Sequence, residues 1–307
     1  MSKELKNWFL LLLLACIWGS SFILMKKGMQ TSDGSPVFSD TQVGALRMAL
    51  ASLVLLPLGL RFLGKIRNYK QFFSLTIVGL SGNFFPAFLF TYAESGISSG
   101  LAGMLNSFTP IFTIIIGMSF FKVKLSLIQL FGVLIGTAGI YFLITAGQGI
   151  TMSGNWSHVA AVILATLMYG ISLNTIKYTL QDLKPIEITS LAFTIIFLPS
   201  AVAVWHFDTV ITLNTNPNAP ESLIYVTILA VVGTALAVLL FNRLISEATA
   251  IFASSVTYFI PVVAVIIGFN FGEQIAFGQV LAMCVVLTGV FLINIGPRIF
   301  KKVPQKP

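Results

Sequence analysis

Long apolar segments alternate with short polar connections along the whole chain. Ten segments have roughly the 20 residues that an α-helix needs to cross the hydrocarbon core of a bilayer. They lie near 7–27, 40–61, 71–92, 98–121, 126–145, 155–178, 186–206, 221–243, 249–271 and 275–296. Because a bilayer offers no water to backbone N–H and C=O groups, each segment is predicted to be a helix. The pattern therefore predicts an all-α polytopic membrane protein with ten transmembrane helices.

The second half of the chain repeats the first at an offset of 151 residues. The repeated positions are Trp18-Gly19-x-Ser21-(x)4-Lys26 with Tyr169-Gly170-x-Ser172-(x)4-Lys177, Gly82-Asn83 with Gly233-Thr234, and Pro110 with Pro261. Each half has five spans, and an odd number of crossings inverts the second copy relative to the first. Inverted repeats are typical of alternating-access transporters. We therefore predict two inverted five-helix repeats, 1–147 and 148–307, that form one membrane domain around a central cavity.

Composition agrees with a lipid environment. Hydrophobic residues make up 56% of the chain and charged residues 9%, whereas about a quarter of the residues in soluble domains are charged. The net charge of +8 lies almost wholly between or beyond the apolar spans, so we expect no nucleic-acid partner. Cys16 and Cys284 both fall inside apolar segments and offer neither a disulfide framework nor a metal-ligand spacing. We expect no metal and no cofactor.

The distribution of basic residues predicts the orientation in the membrane. Fifteen of the 18 lysines and arginines fall on one side of the arrangement, only Lys26 and Lys27 fall on the other, and Arg47 lies within the second span. Because cytoplasmic connections carry the excess of Lys and Arg, both termini are predicted to be cytoplasmic. The run from 13 to 16 is similar to a lipoprotein cleavage box, but the apolar run continues to Met25, so we expect the first span to be retained.

Four motifs carry a resemblance to a known family. They are Trp18-Gly19-Ser20-Ser21-Phe22, Leu46-Arg47-Met48-Ala49, Tyr92-Ala93-(x)5-Ser99-Gly100-Leu101-Ala102-(x)7-Pro110 and its echo Thr249-Ala250-Ile251-Phe252-Ala253-(x)7-Pro261. With these motifs in this order and five spans in each half, the chain resembles the EamA-like family of the drug/metabolite transporter superfamily over essentially its whole length. The resemblance implies a ten-helix carrier in a bacterial inner membrane that exports or exchanges small metabolites such as amino acids.

The chain departs from this family at one position. Family members often have a glutamate just after the fourth helix. Here the first half has Lys122-Val123-Lys124 at that place, and only the second half has an acid, Glu273. Any role that the family assigns to the glutamate after the fourth helix therefore does not transfer to the first half of this chain.

Repeat-related polar and aromatic residues near the middle of the spans are the candidates for a substrate site, because such sites lie at the midplane between repeats. They are Trp18 with Tyr169, Ser21 with Ser172, Asn83 with Thr234, Asn106 with Thr257, and Tyr258 beside Thr257. The aromatic pair either lines the cavity or packs between helices. For the serines, packing is the favoured interpretation. An amide in hydrocarbon is costly unless it is paired or wetted, so Asn83 and Asn106 favour a cavity.

Three basic residues lie in or near the spans. A membrane-embedded lysine is a functional hypothesis by default, but Lys26 and Lys177 lie near helix ends, from which an ammonium can reach the headgroups. The functional alternative is that they bind a substrate carboxylate or close a gate at opposite faces. Arg47 is interpreted as an anchor between helices rather than as a ligand of the substrate.

Prolines and glycines predict where helices bend and where they meet. Pro110 and Pro261 occupy repeat-related positions and are predicted to be two equivalent hinges, because proline removes a hydrogen bond and bends a helix. The series Gly132, Gly136 and Gly139 in the fifth span predicts close approach to another helix. Packing inside the protein is the favoured interpretation, and a homodimer is the alternative.

These features predict a secondary transporter that moves small metabolites, amino acids or related compounds foremost, across the plasma membrane by alternating access. The predicted partners are the substrate and the lipid bilayer. A phosphorylated-sugar or nucleotide-sugar exchanger is the alternative, although a phosphate calls for converging Lys and Arg side chains. An integral-membrane lipid-modifying enzyme is less favoured, because His158 and His206 lie at helix ends and are not paired with nearby acids.

Overall fold

Helices make up most of the computed structural model, which describes residues 3–122, 126–145, 156–247 and 256–294. The α-helices are α1 (Lys3–Met29), α2 (Asp40–Phe62), α3 (Tyr69–Gly79), α4 (Phe85–Glu94), α5 (Ser99–Leu105), α6 (Thr109–Phe121), α7 (Leu127–Thr145), α8 (Trp156–Thr179), α9 (Pro185–His206), α10 (Thr209–Thr215), α11 (Ala219–Ala230), α12 (Ala237–Glu247), α13 (Val256–Asn270) and α14 (Phe277–Asn294). Across those described ranges, β-type pairing is limited to one isolated bridge between Gln30 and Pro36.

The predicted spans correspond closely to these helices. Seven helical stretches are long and apolar enough to cross a membrane: Glu4–Met29, Asp40–Lys65, Tyr69–Glu94, Ser99–Phe121, Trp156–Thr179, Pro185–His206 and Ala219–Phe241. Three further apolar helices are shorter, Leu127–Gly139, Phe259–Asn270 and Phe277–Ile293. The all-α membrane fold is therefore confirmed, whereas the prediction of ten full-length spans is not exact for the described residues. Part of the ninth predicted span, 249–255, lies outside those residues.

Three of the spans are composite helices. A π-helical turn at Leu80–Phe84, the first π-turn, joins α3 to α4, and a second π-turn at Val231–Leu236 joins α11 to α12. A 3-10 turn at Asn106–Phe108 joins α5 to α6. The two π-turns lie at the repeat offset of 151 residues. Single π-helical turns inside α-helices are frequent at functional sites.

Side-chain caps fix where several helices begin. Ser39 accepts a hydrogen bond from the Gln42 backbone, and the Gln42 side chain accepts one from the Ser39 backbone, which forms a capping box before α2. Asn68 caps α3 and Ser98 caps α5 in the same way, each through its side-chain oxygen. Because these oxygens satisfy backbone N–H groups that have no partner within the helix, each helix can begin directly after a short connection.

The two halves of the chain are interleaved rather than side by side. α1 packs against α11, α12 and α13, all from the second half, and α8 packs against α3, α4 and α6 from the first half. α2 packs against α9, and α7 packs against α14, so these helices meet their own repeat mates. Each half therefore completes the core of the other, and the surface between the halves runs through the middle of the protein.

Glycines allow α7 and α14 to cross with their backbones in contact. A Cβ atom placed on Gly132 would lie 2.7 Å from the carbonyl oxygen of Gly289, and one on Gly139 would lie 2.7 Å from the backbone nitrogen of Val286. A Cβ on Gly289 would in turn clash with the backbone of Gly136. The glycine series of the fifth span thus serves packing inside the protein, as predicted.

Candidate substrate site between the repeats

Each π-turn faces the other half of the chain through a glycine. Gly82 in the first π-turn lies directly against the Ser172 side chain of α8, where a Cβ atom would clash with the hydroxyl. Gly233 in the second π-turn lies against Ser21 of α1, and a Cβ atom there would be 3.0 Å from the hydroxyl oxygen. Both serines are buried. The structure therefore places the predicted pair Ser21 and Ser172 at two equivalent helix contacts between the halves.

A second pair of glycines brings α1 and α8 close to the helices that carry the repeat-related prolines. A Cβ atom on Gly19 would lie 2.6 Å from the Val263 side chain of α13, and one on Gly170 would lie 2.9 Å from the Phe112 backbone of α6. Val263 and Phe112 are themselves repeat mates. These matched contacts support a twofold relation between the halves at the level of single residues.

Two aromatic pairs obey the same relation. The Trp18 ring lies 5.1 Å from the Phe241 ring in an edge-on arrangement, and the Tyr169 ring stacks on Phe90 at 5.9 Å. Trp18 and Tyr169 are both half-buried. Phe90 and Phe241 were not among the predicted site residues, although their separation of 151 residues is the signal that identifies them. Phe22 packs edge-on against Phe90 at 5.9 Å, so Phe90 contacts both Tyr169 and Phe22.

The polar residues of the π-turns bond to carbonyl groups five residues earlier. Asn83 Nδ2 donates to the Val78 carbonyl at 3.4 Å, and Thr234 Oγ1 donates to the Leu229 carbonyl at 3.0 Å. Val78 and Leu229 are repeat mates, so the same type of side chain to backbone hydrogen bond occurs in both π-turns. Asn83 is half-buried, whereas Thr234 is buried.

Arg47 of α2 reaches the second π-turn from the first half of the chain. Its Nε donates to Thr234 Oγ1 at 3.1 Å, and its Nη1 lies 3.7 Å from Met25 Sδ of α1. The predicted role of Arg47 as an anchor between helices is consistent with these contacts.

Asn106 and Pro110 lie at the interruption between α5 and α6. Asn106 begins the 3-10 turn and its backbone carbonyl accepts the Thr109 hydroxyl at 3.0 Å. Its side-chain oxygen is buried and has no hydrogen-bond partner among the described residues. Pro110 occupies the first turn of α6, where a missing N–H is tolerated. Pro261 lies within α13, and the side chains of Thr257 and Tyr258 lie outside the part of the structure that is described.

An ion pair joins the two halves at one end of the bundle. Lys26 Nζ at the end of α1 lies 2.6 Å from Glu273 Oε1 in the connection between α13 and α14. The same carboxylate accepts the backbone N–H groups of Ser99 at 2.8 Å and of Gly100 at 3.0 Å. Burial raises the pKa of Glu273, but these bonds and the charge of Lys26 outweigh it and hold the pKa below its ordinary value. Lys26 is thus paired rather than extended to the headgroups.

A second carboxylate lies beside this ion pair. Glu94 ends α4 and is buried, and its Oε2 accepts the Ser99 hydroxyl at 2.8 Å. Its other oxygen, Oε1, is buried and has no hydrogen-bond partner among the described residues. Ser99 therefore contacts both acids, Glu94 through its hydroxyl and Glu273 through its backbone N–H.

The repeat-related end of the bundle has a different arrangement. Lys177 at the end of α8 is exposed, and its ammonium lies 5.2 Å from the centre of the Tyr178 ring. That ring stacks on Phe121 at 4.7 Å. Lys122, the residue after Phe121, is the repeat mate of Glu273. It caps the C-terminal end of α6 with a left-handed backbone conformation at φ 54°. A lysine therefore stands at the position that provides the carboxylate at the other end.

Known proteins match the chain along almost its whole length. A family model described as the EamA-like transporter family matches residues 6–145 and again residues 156–295. An uncharacterized transporter of Archaeoglobus fulgidus is 25% identical over 94% of this chain and 99% of its own length. The uncharacterized inner membrane transporter YedA of Escherichia coli K12 is 24% identical over 95% of this chain and 90% of its own length.

Two further matches agree with these. The protein PagO of Salmonella typhimurium is 22% identical over 92% of this chain and 91% of its own length. A solved structure, described as a crystal structure of a protein, superposes with a TM-score of 0.55 over 97% of this chain and 99% of that chain. At 14% identity this likeness concerns the fold alone.

Proposed function

The chain belongs to the EamA-like transporter family, and we propose that it is a secondary carrier of small polar or amphipathic metabolites, amino acids and related compounds foremost. It moves them across the plasma membrane, with both termini in the cytoplasm, by alternating access. Efflux or exchange is the proposed mode. The proposal goes beyond the family in naming the substrate class, the orientation and the mode.

The observation that carries the proposal is the matched pair of π-turns. Each interrupts a membrane helix and faces a serine of the opposite half, through Gly82 in one case and Gly233 in the other. A π-turn breaks the regular backbone ladder and frees carbonyl groups in the middle of a span, where lipid cannot satisfy them. Irregular backbone at this depth is tolerated where it lines a cavity, and such sites bind substrate in transporters with inverted repeats.

The side chains around the π-turns suit an amphipathic substrate. The aromatic pairs Trp18 with Phe241 and Tyr169 with Phe90 offer apolar faces to the body of a substrate. Asn83 and the unpartnered side-chain oxygen of Asn106 offer polar atoms to its hydrogen-bonding groups. Pro110 and Pro261 would then act as the hinges at which α6 and α13 bend as the halves rock.

The positions of the acidic residues favour efflux or exchange over strong cation coupling. All ten Asp and Glu residues lie in connections or near the ends of helices. Coupling to protons or sodium ions usually requires a buried acid or exposed carbonyl groups inside the membrane. Among the described residues, the buried carboxyl group of Glu94 at the end of α4 and the freed carbonyls of the π-turns are groups that could meet a cation.

A counterflow assay in proteoliposomes tests the proposal. Liposomes loaded with an unlabelled amino-acid mixture should accumulate labelled single amino acids, with a saturable rate that falls at least several-fold in Trp18→Ala and Asn106→Ala. Trp205→Ala and Asn270→Ala are matched controls, because both side chains are exposed on the protein surface and should leave the rate unchanged. Counterflow of phosphorylated sugars in place of amino acids would favour the exchanger, and unchanged rates in both site variants would move the site elsewhere.

A further inference from the structure

Two glutamates share one lysine where the halves meet at one end of the bundle. Lys26 Nζ lies 2.6 Å from Glu273 Oε1, and the Ser99 backbone N–H donates to the same oxygen at 2.8 Å. The Ser99 hydroxyl donates to Glu94 Oε2, also at 2.8 Å. The two carboxyl groups are therefore connected through a single residue. With both ionised, this cluster would carry one negative charge more than Lys26 balances.

Glu273 is the acid that Lys26 neutralises. Its Oε1 accepts both the ammonium and the Ser99 N–H, and the Gly100 N–H donates to Oε2 at 3.0 Å. Hydrogen bonds to the charged form and a nearby cation both favour ionisation. They hold the pKa of Glu273 below its ordinary value, so Glu273 is the ionised member of the cluster.

Glu94 has no comparable compensation. It is 2% exposed, and its Oε1 is buried without a hydrogen-bond partner in the described parts of the chain. An ionised oxygen buried without a donor is costly, and a bound cation removes that cost. A proton balances the charge without further ligands, whereas a hard metal ion such as Ca²⁺ or Mg²⁺ needs about six oxygen ligands. The arrangement around Glu94 therefore suits a proton.

The helices that pack against α4 carry other titratable groups toward this end. These helices are α1, α2, α5 and α8. His158 of α8 stacks on the Tyr92 ring at 4.5 Å and lies against Gly96, so it is a second group whose charge could change with pH. The remaining charged residues toward this end have bonds of their own: Arg47 of α2 with Thr234, Asp40 of α2 with the Thr41 N–H, and Lys27 of α1 with Ser32.

We propose that Glu94 is a proton-binding site that regulates closure of this end. Its Oε1 holds a proton while the end is closed and releases it to water on the same side when the end opens. Lys26 and Glu94 belong to the first half and Glu273 to the second. Opening therefore separates Glu273 from both and leaves Lys26 as the counter-ion of an ionised Glu94. An acidic medium at this end favours the closed state.

Because the proton enters and leaves on one side of the membrane, it regulates this end without driving transport. This role goes beyond the carrier function but rests on alternating access, which supplies the open state. Both tests below use the purified protein without substrate, so a failure of the proposed substrate class would leave their results unchanged.

Infrared spectroscopy tests whether Glu94 carries a proton. A protonated carboxyl group has a carbonyl band that is separate from the bands of a carboxylate and shifts in D₂O. The wild type should show this band at neutral pH, and Glu94→Gln should lose it. Glu221→Gln is the matched control, because an exposed glutamate is ionised at neutral pH and contributes no such band. Absence of the band from the wild type would overturn the proposal, whether or not the variants fold.

Hydrogen exchange of the Ser99 and Gly100 amides tests whether this proton regulates closure. These N–H groups begin α5 and donate to Glu273 across the halves, so their protection reports the closed end. After correction for the intrinsic pH dependence of exchange, protection in the wild type should fall several-fold from a mildly acidic to a mildly alkaline medium. Glu94→Gln, which is neutral at every pH, should keep high protection throughout.

His158→Gln is the control for the other titratable group and should retain the wild-type pH dependence. Monodispersity in size-exclusion chromatography establishes that each variant is folded. Protection that does not change with pH in the wild type would overturn the proposal. So would a wild-type pH dependence in Glu94→Gln, or its loss in His158→Gln alone.

Discussion

Lys26 and Glu273 form an ion pair of 2.6 Å between the halves, whereas their repeat mates are two lysines, Lys177 and Lys122. The two halves are related by an internal twofold, but the charged residues at the two ends of the bundle do not follow this symmetry. One end is held by a carboxylate that also accepts two backbone N–H groups of α5. A further ion pair, between Lys65 and Glu187 at 3.9 Å, involves neither repeat-related lysine. We therefore expect the two ends to differ in how firmly they close.

The ion pair should contribute measurably to the stability of the closed end. Lys26→Ala and Glu273→Ala should each lower the thermal unfolding midpoint, Glu273→Ala more strongly, because its carboxylate also binds Ser99 and Gly100. In a double-mutant cycle the two changes should show a coupling of about 1 kcal/mol or more, as expected for residues in direct contact. Lys27→Ala, at an exposed bond to Ser32, is the control. Strictly additive effects would contradict the coupling.

A carboxylate at position 122 should create a second ion pair at the opposite end. Lys122→Glu places an acid at the repeat mate of Glu273, next to Phe121, which stacks on the neighbour of Lys177. We expect this variant to favour the state closed at that end and to slow counterflow several-fold. Lys122→Gln must adopt the same left-handed backbone conformation as Lys122→Glu but introduces no negative charge, so it is the matched control. Combining Lys122→Glu with Lys177→Gln should restore the rate, and failure to do so would contradict the explanation.

Stability should depend on pH through Glu273. Its folded pKa is held below the ordinary value, so its contribution is fully present above the unfolded pKa of about 4.3 and is lost as pH falls through the folded pKa. The thermal midpoint of the wild type should therefore exceed that of Glu273→Gln at neutral pH, and the difference should narrow below about pH 4.3. A difference that is constant from pH 7 to pH 3 would show that the charge of Glu273 contributes nothing.

The glycines of the π-turns should tolerate a methyl group only if the facing serine becomes smaller. Gly82→Ala clashes with the Ser172 hydroxyl, so we expect a loss of about 1–3 kcal/mol, the range for overpacking a close contact. Gly82→Ala combined with Ser172→Gly should recover most of the stability. Gly233→Ala should cost less, because the corresponding distance to Ser21 is 3.0 Å. Gly64→Ala has no atom within 4 Å of the added carbon and is the control.

The repeat could be predicted from the chain in considerable detail. The offset of 151 residues relates Trp18 to Tyr169 and Asn83 to Thr234 in the amino-acid sequence alone, and the folded chain places each pair at equivalent contacts. The same offset relates Phe90 to Phe241, which sequence reasoning missed because phenylalanine is abundant in every span. A pair of repeat-related residues can be recognised in the sequence only when the residue type is rare in the surrounding spans.

Other features required contacts between distant parts of the chain. Lys26 and Glu273 are 247 positions apart, and nothing local in either segment indicates the other. The hydrogen bond from Arg47 to Thr234 likewise joins residues that are 187 positions apart, so it is visible only in the folded chain. The spacing of residues also gives no sign of the second π-turn. Pro86 follows the first π-turn, in the first turn of α4, but its repeat mate after the second π-turn is Ala237.

The sequence by itself determined the lipid environment, the helical class and the inverted repeat. These follow from hydrophobicity and from the need of every backbone group inside a bilayer for a partner within its own helix, which are properties of single segments. Only the tertiary structure decided that the halves interleave, that one end is held by an ion pair and that Arg47 bonds to the second π-turn. Those depend on which side chains meet across helices, and that is set by close packing of glycines and serines rather than by any pattern within one helix.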